Sequence, residues 1–270
     1  MFPYIFQIPE SVPIVGGFIL RSFGVMVLLG VLAGAWWLGK AFRRLGVPGE
    51  DPVGAAVLRA ALWGFLGARL LYVVVHPQVL TDLIAPIALW RGGLVSYGGF
   101  LGGTFGAWLF ARKVRLPFVR LADAFAPGLL LGQALGRIGC LLVGDDHGRP
   151  WDGPLAITFH PVEGSLIPPE LYGVPLHPSQ LYLSAMNFVL FAITARMFVR
   201  RRFEGQVAAT AIVLYSVGRF LVEYTRGDDE ARGFWGALST AQWISIATFV
   251  VGLAMWRHQS ARADARVAPA

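Results

Sequence analysis

At 270 residues, with 56% hydrophobic and 14% charged side chains and a mean hydropathy of +0.59, the chain is too apolar for a soluble domain, where roughly a quarter of residues are charged. These values describe an integral membrane protein. The net charge of +7 does not indicate nucleic acid as a partner, because the basic residues fall at the ends of apolar runs and not on one face of a soluble fold. A single cysteine, Cys140, excludes an intramolecular disulfide and a cysteine-based metal cluster, and nothing calls for a metal or other cofactor. The first seventeen residues carry no Lys or Arg, so the first apolar run lacks the basic flank of a cleavable signal and is expected to stay in the protein.

Runs long enough to span a bilayer as about 20 helical residues follow in order. They are Phe18 to Leu38, Ala55 to Val75, Leu94 to Phe110, Leu121 to Val143, Leu181 to Phe198, Val207 to Tyr224 and Trp243 to Trp256. The expected fold is all-α, with seven transmembrane helices in one membrane domain over 1–257 and a disordered Ala/Arg-rich tail over 258–270. The loops after the odd-numbered runs, together with the tail, hold thirteen Lys and Arg, against four (Arg91, Arg149, Arg226, Arg232) on the other side. The positive-inside rule then places the N-terminus outside and the C-terminus in the cytoplasm. The long Pro/Gly-rich segment 144–178 becomes an external insert after the fourth helix.

Six arginines remain within or at the edge of the runs. Arg21, Arg59 and Arg196 lie near run ends and can snorkel to the interface. Arg69, Arg137 and Arg219 lie about 21, 24 and 18 Å from the inner ends of their runs, at a rise of about 1.5 Å per residue. An arginine within a membrane helix costs roughly 2.5–3.5 kcal/mol on insertion scales and marks function by default. Tyr215, Arg219 and Glu223 are spaced i, i+4, i+8 on one helix face, so Glu223 can hold Arg219. Arg69 and Arg137 have no evident carboxylate partner in the sequence. An anion would supply one, and at that depth the simplest anion is a phospholipid headgroup, whose phosphate matches a guanidinium fork.

The outer end of the third run, with the three residues before it, reads RGGLVSYGGFLGG, with three glycine pairs. Glycine is unfavourable inside a helix. Two readings stay open: a broken or re-entrant segment with backbone N–H groups free for an anion, or close packing of small residues between helices. Tyr97 lies about 22 Å above the inner end of that run, level with the three arginines.

The residues SYGGFLGG (Ser96 to Gly103), DAFAP (Asp123 to Pro127), GRIG (Gly136 to Gly139), HPSQLY (His177 to Tyr182) and YSVGRFLVEYTR (Tyr215 to Arg226) resemble, in order and spacing, the prolipoprotein diacylglyceryl transferases. That resemblance implies a bacterial inner-membrane enzyme with its site facing the outer leaflet. Its substrates would be phosphatidylglycerol and a prolipoprotein signal peptide bearing a lipobox cysteine. It implies Arg137 and Arg219 on the lipid phosphate, Tyr215 and Glu223 in support, and Tyr97 at the place where the family carries a histidine taken as general base. Arg69, Gly98, Gly99, Cys140, Asp145 and Gly148 are the further substrate-binding candidates. The chain departs from the family signature GRxGNFxNGExxG, with Cys140 and Val143 at its asparagines, Leu141 at its phenylalanine and Asp145 at its glutamate; Phe23 replaces a tyrosine early in the first helix.

His147, Asp145 and Asp146 are alternative proton acceptors, and His177 reads as an anchor for the fifth helix. Cys140 reads as a small buried residue and not a nucleophile, since the family uses the substrate's thiol. Two functions of different class follow: an active transferase, or a degenerate relative that binds phospholipid or signal peptide without turnover. A transporter is disfavoured, because repeat symmetry and a charged path to both faces are missing.

Overall fold

The computed structural model describes residues 2–7, 19–81 and 93–267. Phe18, where the first run begins, and Arg91, one of the four outer basic residues, lie outside them. Within the described residues the protein is all-helical apart from three two-stranded pairings. The long helices are α1 (Ser22–Leu45), α2 (Pro52–Val75), α3 (Ser96–Lys113), α4 (Phe118–Val143), α5 (Ser179–Arg200) and α6 (Gln206–Val222). A one-turn α7 (Asp229–Arg232) then precedes the long α8 (Thr240–Val267). Five of them, α1, α2, α4, α5 and α6 with its continuation to Thr225, are long and apolar enough to cross a membrane. Helices satisfy their own backbone polar groups, which is what an apolar solvent demands.

The last helix continues to Val267, well into the stretch that composition marks as a disordered tail. Its Ala- and Arg-rich sequence is made of strong helix formers, so the helix propagates past the apolar part.

The chain divides into two compact units, Leu38–Ala122 and Met1–Trp37 with Asp123–Ala270. In the first, Asp51 accepts from the Gly54 N–H at 2.8 Å and Pro52 opens α2, the usual chemistry of a helix start. From Ser96 onward α3 is one continuous helix, so the broken-segment reading is wrong for those residues, while Arg91 and Gly92 lie outside the described residues. A Cβ at Gly98, Gly102 or Gly106 would run into the backbone carbonyls of Gly67, Trp63 and Arg59 on α2. The glycines therefore serve close helix packing, and that contact outweighs their poor intrinsic propensity.

In the second unit, strands β1 (Tyr4–Gln7) and β2 (Ile19–Arg21) pair antiparallel before α1. α4 carries Pro127 in its interior. Its missing N–H loosens the helical ladder, and Trp37 Nε1 donates to the Ala124 carbonyl there at 2.9 Å. Asp123, fully buried on α4, accepts from the N–H groups of Gly205 at 2.8 Å and Ala208 at 2.9 Å. Gly205 has no side chain to cap α6, so a carboxylate from α4 does it. Ser184 Oγ ties α5 to the Ala134 carbonyl of α4 at 2.9 Å, and Ser216 on α6 meets Thr248 on α8 at 2.7 Å.

The insert 144–178 folds on a small core of Phe159, Ile167 and Leu176. Strands β3 (Ile157–Thr158) and β4 (Pro175–Leu176) pair across it. Between α6 and α8, a 3-10 turn (Glu223–Thr225), α7 and the pairing of β5 (Phe234–Trp235) with β6 (Leu238–Ser239) form a polar corner.

Candidate active site

Arg137 lies in the last two turns of α4 and Arg219 in the last turn of α6. Each is held by one carboxylate that also holds a second guanidinium. Asp146 pairs with both Arg137 and Arg226. Glu223 pairs with Arg219 and, at 2.9 Å, with Arg232. Two arginine–carboxylate–arginine bridges thus stand in the same unit, both joining the end of a membrane helix to the corner before α8.

The first bridge depends on a turn. After α4 the Asp145 N–H bonds back to the Cys140 carbonyl at 2.9 Å, and Gly144 and Asp146 both take positive φ, 82° and 53°. Aspartate is among the few side chains that tolerate this region. The reversal carries the Asp146 carboxylate back over the helix end to Arg137. This corrects the expectation that Arg137 lacks a protein carboxylate. Helical periodicity cannot show such a partner, because it comes from a turn and not from a helix face.

The second bridge was partly visible. Arg219 and Glu223 pair as the i, i+4 spacing requires. Glu223 is fully buried; Ser239 Oγ donates to it at 2.8 Å, and Arg232 also donates to its backbone carbonyl at 3.1 Å. Arg232 is further paired with Asp229 at 2.6 Å, and Arg226 with Asp228. Sequence reading counted Arg226 and Arg232 only as loop charges. Helical spacing could not have found them, since Arg226 pairs with Asp146 from the turn after α4 and Arg232 reaches Glu223 from α7.

Arg137 reaches Asp146 through one terminal nitrogen, which also lies 3.9 Å from Cys140 Sγ. Arg219 uses one nitrogen for Glu223. A guanidinium has five N–H donors, so both keep donors for an incoming oxyanion. Cys140 is a buried free thiol beneath the first bridge, 4.0 Å from Asp146. Tyr215 packs among Leu130, Leu190 and Ala211.

Burial alone would push the Asp146 carboxyl up, but the Arg137 and Arg226 guanidiniums hold it below the usual carboxylate range. Asp145 makes no such ion pair among the described residues, and burial together with the Asp146 charge raises it. Burial works against a charged Arg226, yet Asp228 and Asp146 keep it firmly protonated.

Other candidates have mainly structural contacts. Gly148 is buried where a Cβ would strike the His177 carbonyl. His147 is buried with Nδ1 at 3.2 Å from the Gly148 carbonyl. His177 stacks on Trp151 with ring centres 4.2 Å apart, just before α5. The Asp145 carbonyl accepts from Gln180 on α5 at 2.8 Å. In the other unit Arg69 is buried on α2, donates to the Gly93 carbonyl at 2.7 Å and faces the Tyr72 ring at 5.1 Å. Tyr97 is half-buried in the first turn of α3. Gly98 and Gly99 pack toward α2, and the Gly99 N–H is taken by the Val95 carbonyl at 3.3 Å.

The family model of prolipoprotein diacylglyceryl transferase matches residues 9–258. Among similar proteins, the phosphatidylglycerol–prolipoprotein diacylglyceryl transferase of Bordetella bronchiseptica is 36% identical over 262 residues, covering 93% of this chain and 96% of that one. The enzyme of the same name from Chromohalobacter salexigens is 33% identical, covering 93% of each chain. That of Clostridium tetani is 31% identical over 244 residues, covering 88% of this chain and 92% of the other.

Proposed function

Since the chain belongs to the prolipoprotein diacylglyceryl transferase family, we propose that it transfers diacylglyceryl from phosphatidylglycerol to the thiol of a lipobox cysteine, forming a thioether. The observation that carries this reading is the pair of bridged arginines, Arg137 and Arg219, with donors left over for a phosphate. Such an arrangement suits a reaction whose charge develops on phosphate oxygens. The substrate sulfur attacks the glycerol carbon bearing the phosphate, an S–C bond forms, the C–O bond breaks, and its electron pair leaves on glycerol phosphate. Fixed guanidiniums stabilise that oxyanion without reorganising at the moment of reaction. The shared carboxylates keep the arginines aimed while substrate is absent.

A thiol has a reference pKa near 8.5 and must lose its proton. Asp145, with its raised carboxyl, is a better acceptor for that proton than Asp146, which two guanidiniums hold ionised. Tyr97, Arg69, Gly98 and Gly99 act in this reading as substrate-positioning groups, with Cys140 and Gly148 shaping the turn and Tyr215 supporting α6. Nothing favours the alternative of a binding relative without turnover. In the membrane we assign seven spans, the N-terminus outside and the site toward the outer leaflet. A thiol reagent that cannot cross the membrane should label Asp152→Cys and spare Arg115→Cys in intact cells, in a Cys140→Ala background; the reverse overturns the orientation.

The test is thioether formation on a lipobox peptide by the purified protein in phosphatidylglycerol micelles. Product is expected, and its absence at levels where a relative works would overturn the proposal. Full activity in Tyr97→Phe would exclude its hydroxyl from positioning the substrate.

A further inference from the structure

The corner between α6 and α8 carries an aromatic surface that neither arginine bridge uses. β5 and β6 form a hairpin whose two-residue turn opens on Gly236, with a φ of 65°, and glycine is the residue that takes such a value in the first turn position. Trp235 stands beside that turn and, at 78%, is the most exposed large apolar side chain of the described residues. Phe234 next to it and Trp243 in the first turn of α8 are exposed as well. The two tryptophan rings lie 5.9 Å apart. Trp243 Nε1 donates to the Trp235 carbonyl at 3.0 Å, which fixes that ring against the hairpin. Trp235 Nε1 makes no hydrogen bond among the described residues.

Two stripes of exposed apolar side chains lead to this surface. On α6, one of the helices apolar enough to cross the membrane, Val217, Leu221 and Tyr224 fall at i, i+4, i+7. On α8, Trp243, Ile246, Val250 and Leu253 fall at i, i+3, i+7, i+10. The other face of α8 is the packed one, with Thr248 on Ser216 and Gly252 against Val213 of α6. Exposed stripes on membrane helices face acyl chains, so the band that ends on Trp243 and Trp235 is covered by lipid. A tryptophan with an apolar body and an unused N–H fits the boundary between acyl chains and headgroups, where ester and phosphate oxygens accept.

We propose that the β5–β6 hairpin is an interfacial anchor, with Trp235 and Trp243 seated in the headgroup boundary of the leaflet. The anchor reaches the site through Arg232. That guanidinium lies over the Phe234 ring at 4.7 Å and pairs with Glu223, which also holds Arg219. A hairpin fixed in the leaflet therefore sets the height of Arg219 relative to the lipid phosphates. This link to Arg219 rests on the transferase reading, whereas the anchor does not.

Nitroxide labels on Trp235→Cys, Val250→Cys and Asp152→Cys, each in the full Cys140→Ala protein in phosphatidylcholine nanodiscs, test the anchor without requiring turnover. The label at 235 should be open to oxygen and closed to a water-soluble nickel chelate, as at 250, while the chelate reaches the label at 152. Chelate access at 235 equal to that at 152 would overturn the anchor. If the chelate is excluded only once a lipobox peptide is added, the surface belongs to the peptide and the anchor is likewise overturned. Brominated phosphatidylcholine checks the native side chain: the quenched share of tryptophan emission should fall in Trp235→Phe, and an unchanged share would overturn the seating of that ring. For the link, Trp235→Ser should raise KM for phosphatidylglycerol in nanodiscs with kcat kept, and should lose that effect in detergent micelles, which have no leaflet plane. An equal effect in both media would overturn the link. If the unmodified protein forms no thioether, the transferase reading fails, and the labels still decide the anchor.

Discussion

The α2–α3 pair and the arrangement of α4, α5, α6 and α8 solve one problem by opposite means. Helices in lipid gain little from hydrophobic burial against each other, because the solvent is as apolar as their side chains. α2 and α3 therefore associate through glycines, with Gly98, Gly102 and Gly106 set against opposing carbonyls. The other unit uses buried polar groups: Asp123 on the start of α6, Ser184 on α4, Ser216 against Thr248, and the two arginine bridges. Glycine packing depends on shape alone, whereas the bridges hold charge where chemistry needs it. The second strategy makes its unit the costlier to disturb.

The comparison is most sharply broken at Glu223. Glu223→Ala would strand the Arg219 guanidinium and leave Arg232 with Asp229 alone, and removing one partner of a buried pair costs about 3–5 kcal/mol. Thermal unfolding in detergent should show the largest loss of any variant named here, and a change below about 1 kcal/mol would mean that water already screens the pair. Arg137→Ala should lower turnover about 10²–10³-fold, the loss typical of one oxyanion donor, as measured by thioether formation. Gly102→Val tests the other strategy: a side chain against the Trp63 carbonyl should cost about 1–3 kcal/mol by overpacking. It should do so by loosening the α2–α3 contact, read from the fluorescence of Trp63 and Trp108 in that pair. Asp123→Asn keeps volume but weakens the cap of α6, and should cost about 1 kcal/mol.

The smallest effect expected is in pH dependence. Asp146 is held below its ordinary value. Its contribution is therefore complete at neutral pH and is lost as acid takes the solution below about pH 4, the ordinary aspartate range. Asp146→Asn should be less stable than the unmodified protein at pH 7, with the gap closing on acidification. Asp145 is raised, so the sign reverses: Asp145→Asn should be at least as stable at pH 7. Unfolding midpoints measured from pH 3 to 8 decide both, and a gap for Asp146→Asn that widens in acid would contradict the bridge.

Legibility followed periodicity. The apolar runs predicted the long helices to within a few residues at most ends, and the Tyr215–Arg219–Glu223 stripe predicted a real ion pair, because both depend on 3.6-residue spacing. Where the signal was composition, it left the answer open. The glycines of α3 allowed a break or a contact surface, and the packing against α2 decides for the second; α8 runs as helix to Val267. Asp146 could not be assigned to Arg137 at all, since its position depends on a turn with positive φ.

Class, helix positions and family motifs were thus determined by the sequence itself, because hydropathy and helical spacing act over short stretches of chain. Only the tertiary structure decided which carboxylate holds which arginine. Asp146 meets Arg226 across eighty positions of sequence, and Ser239 meets Glu223 across sixteen. Pairings of that separation arise from how helix ends are brought together, and at those ends the charges that address a phosphate are set.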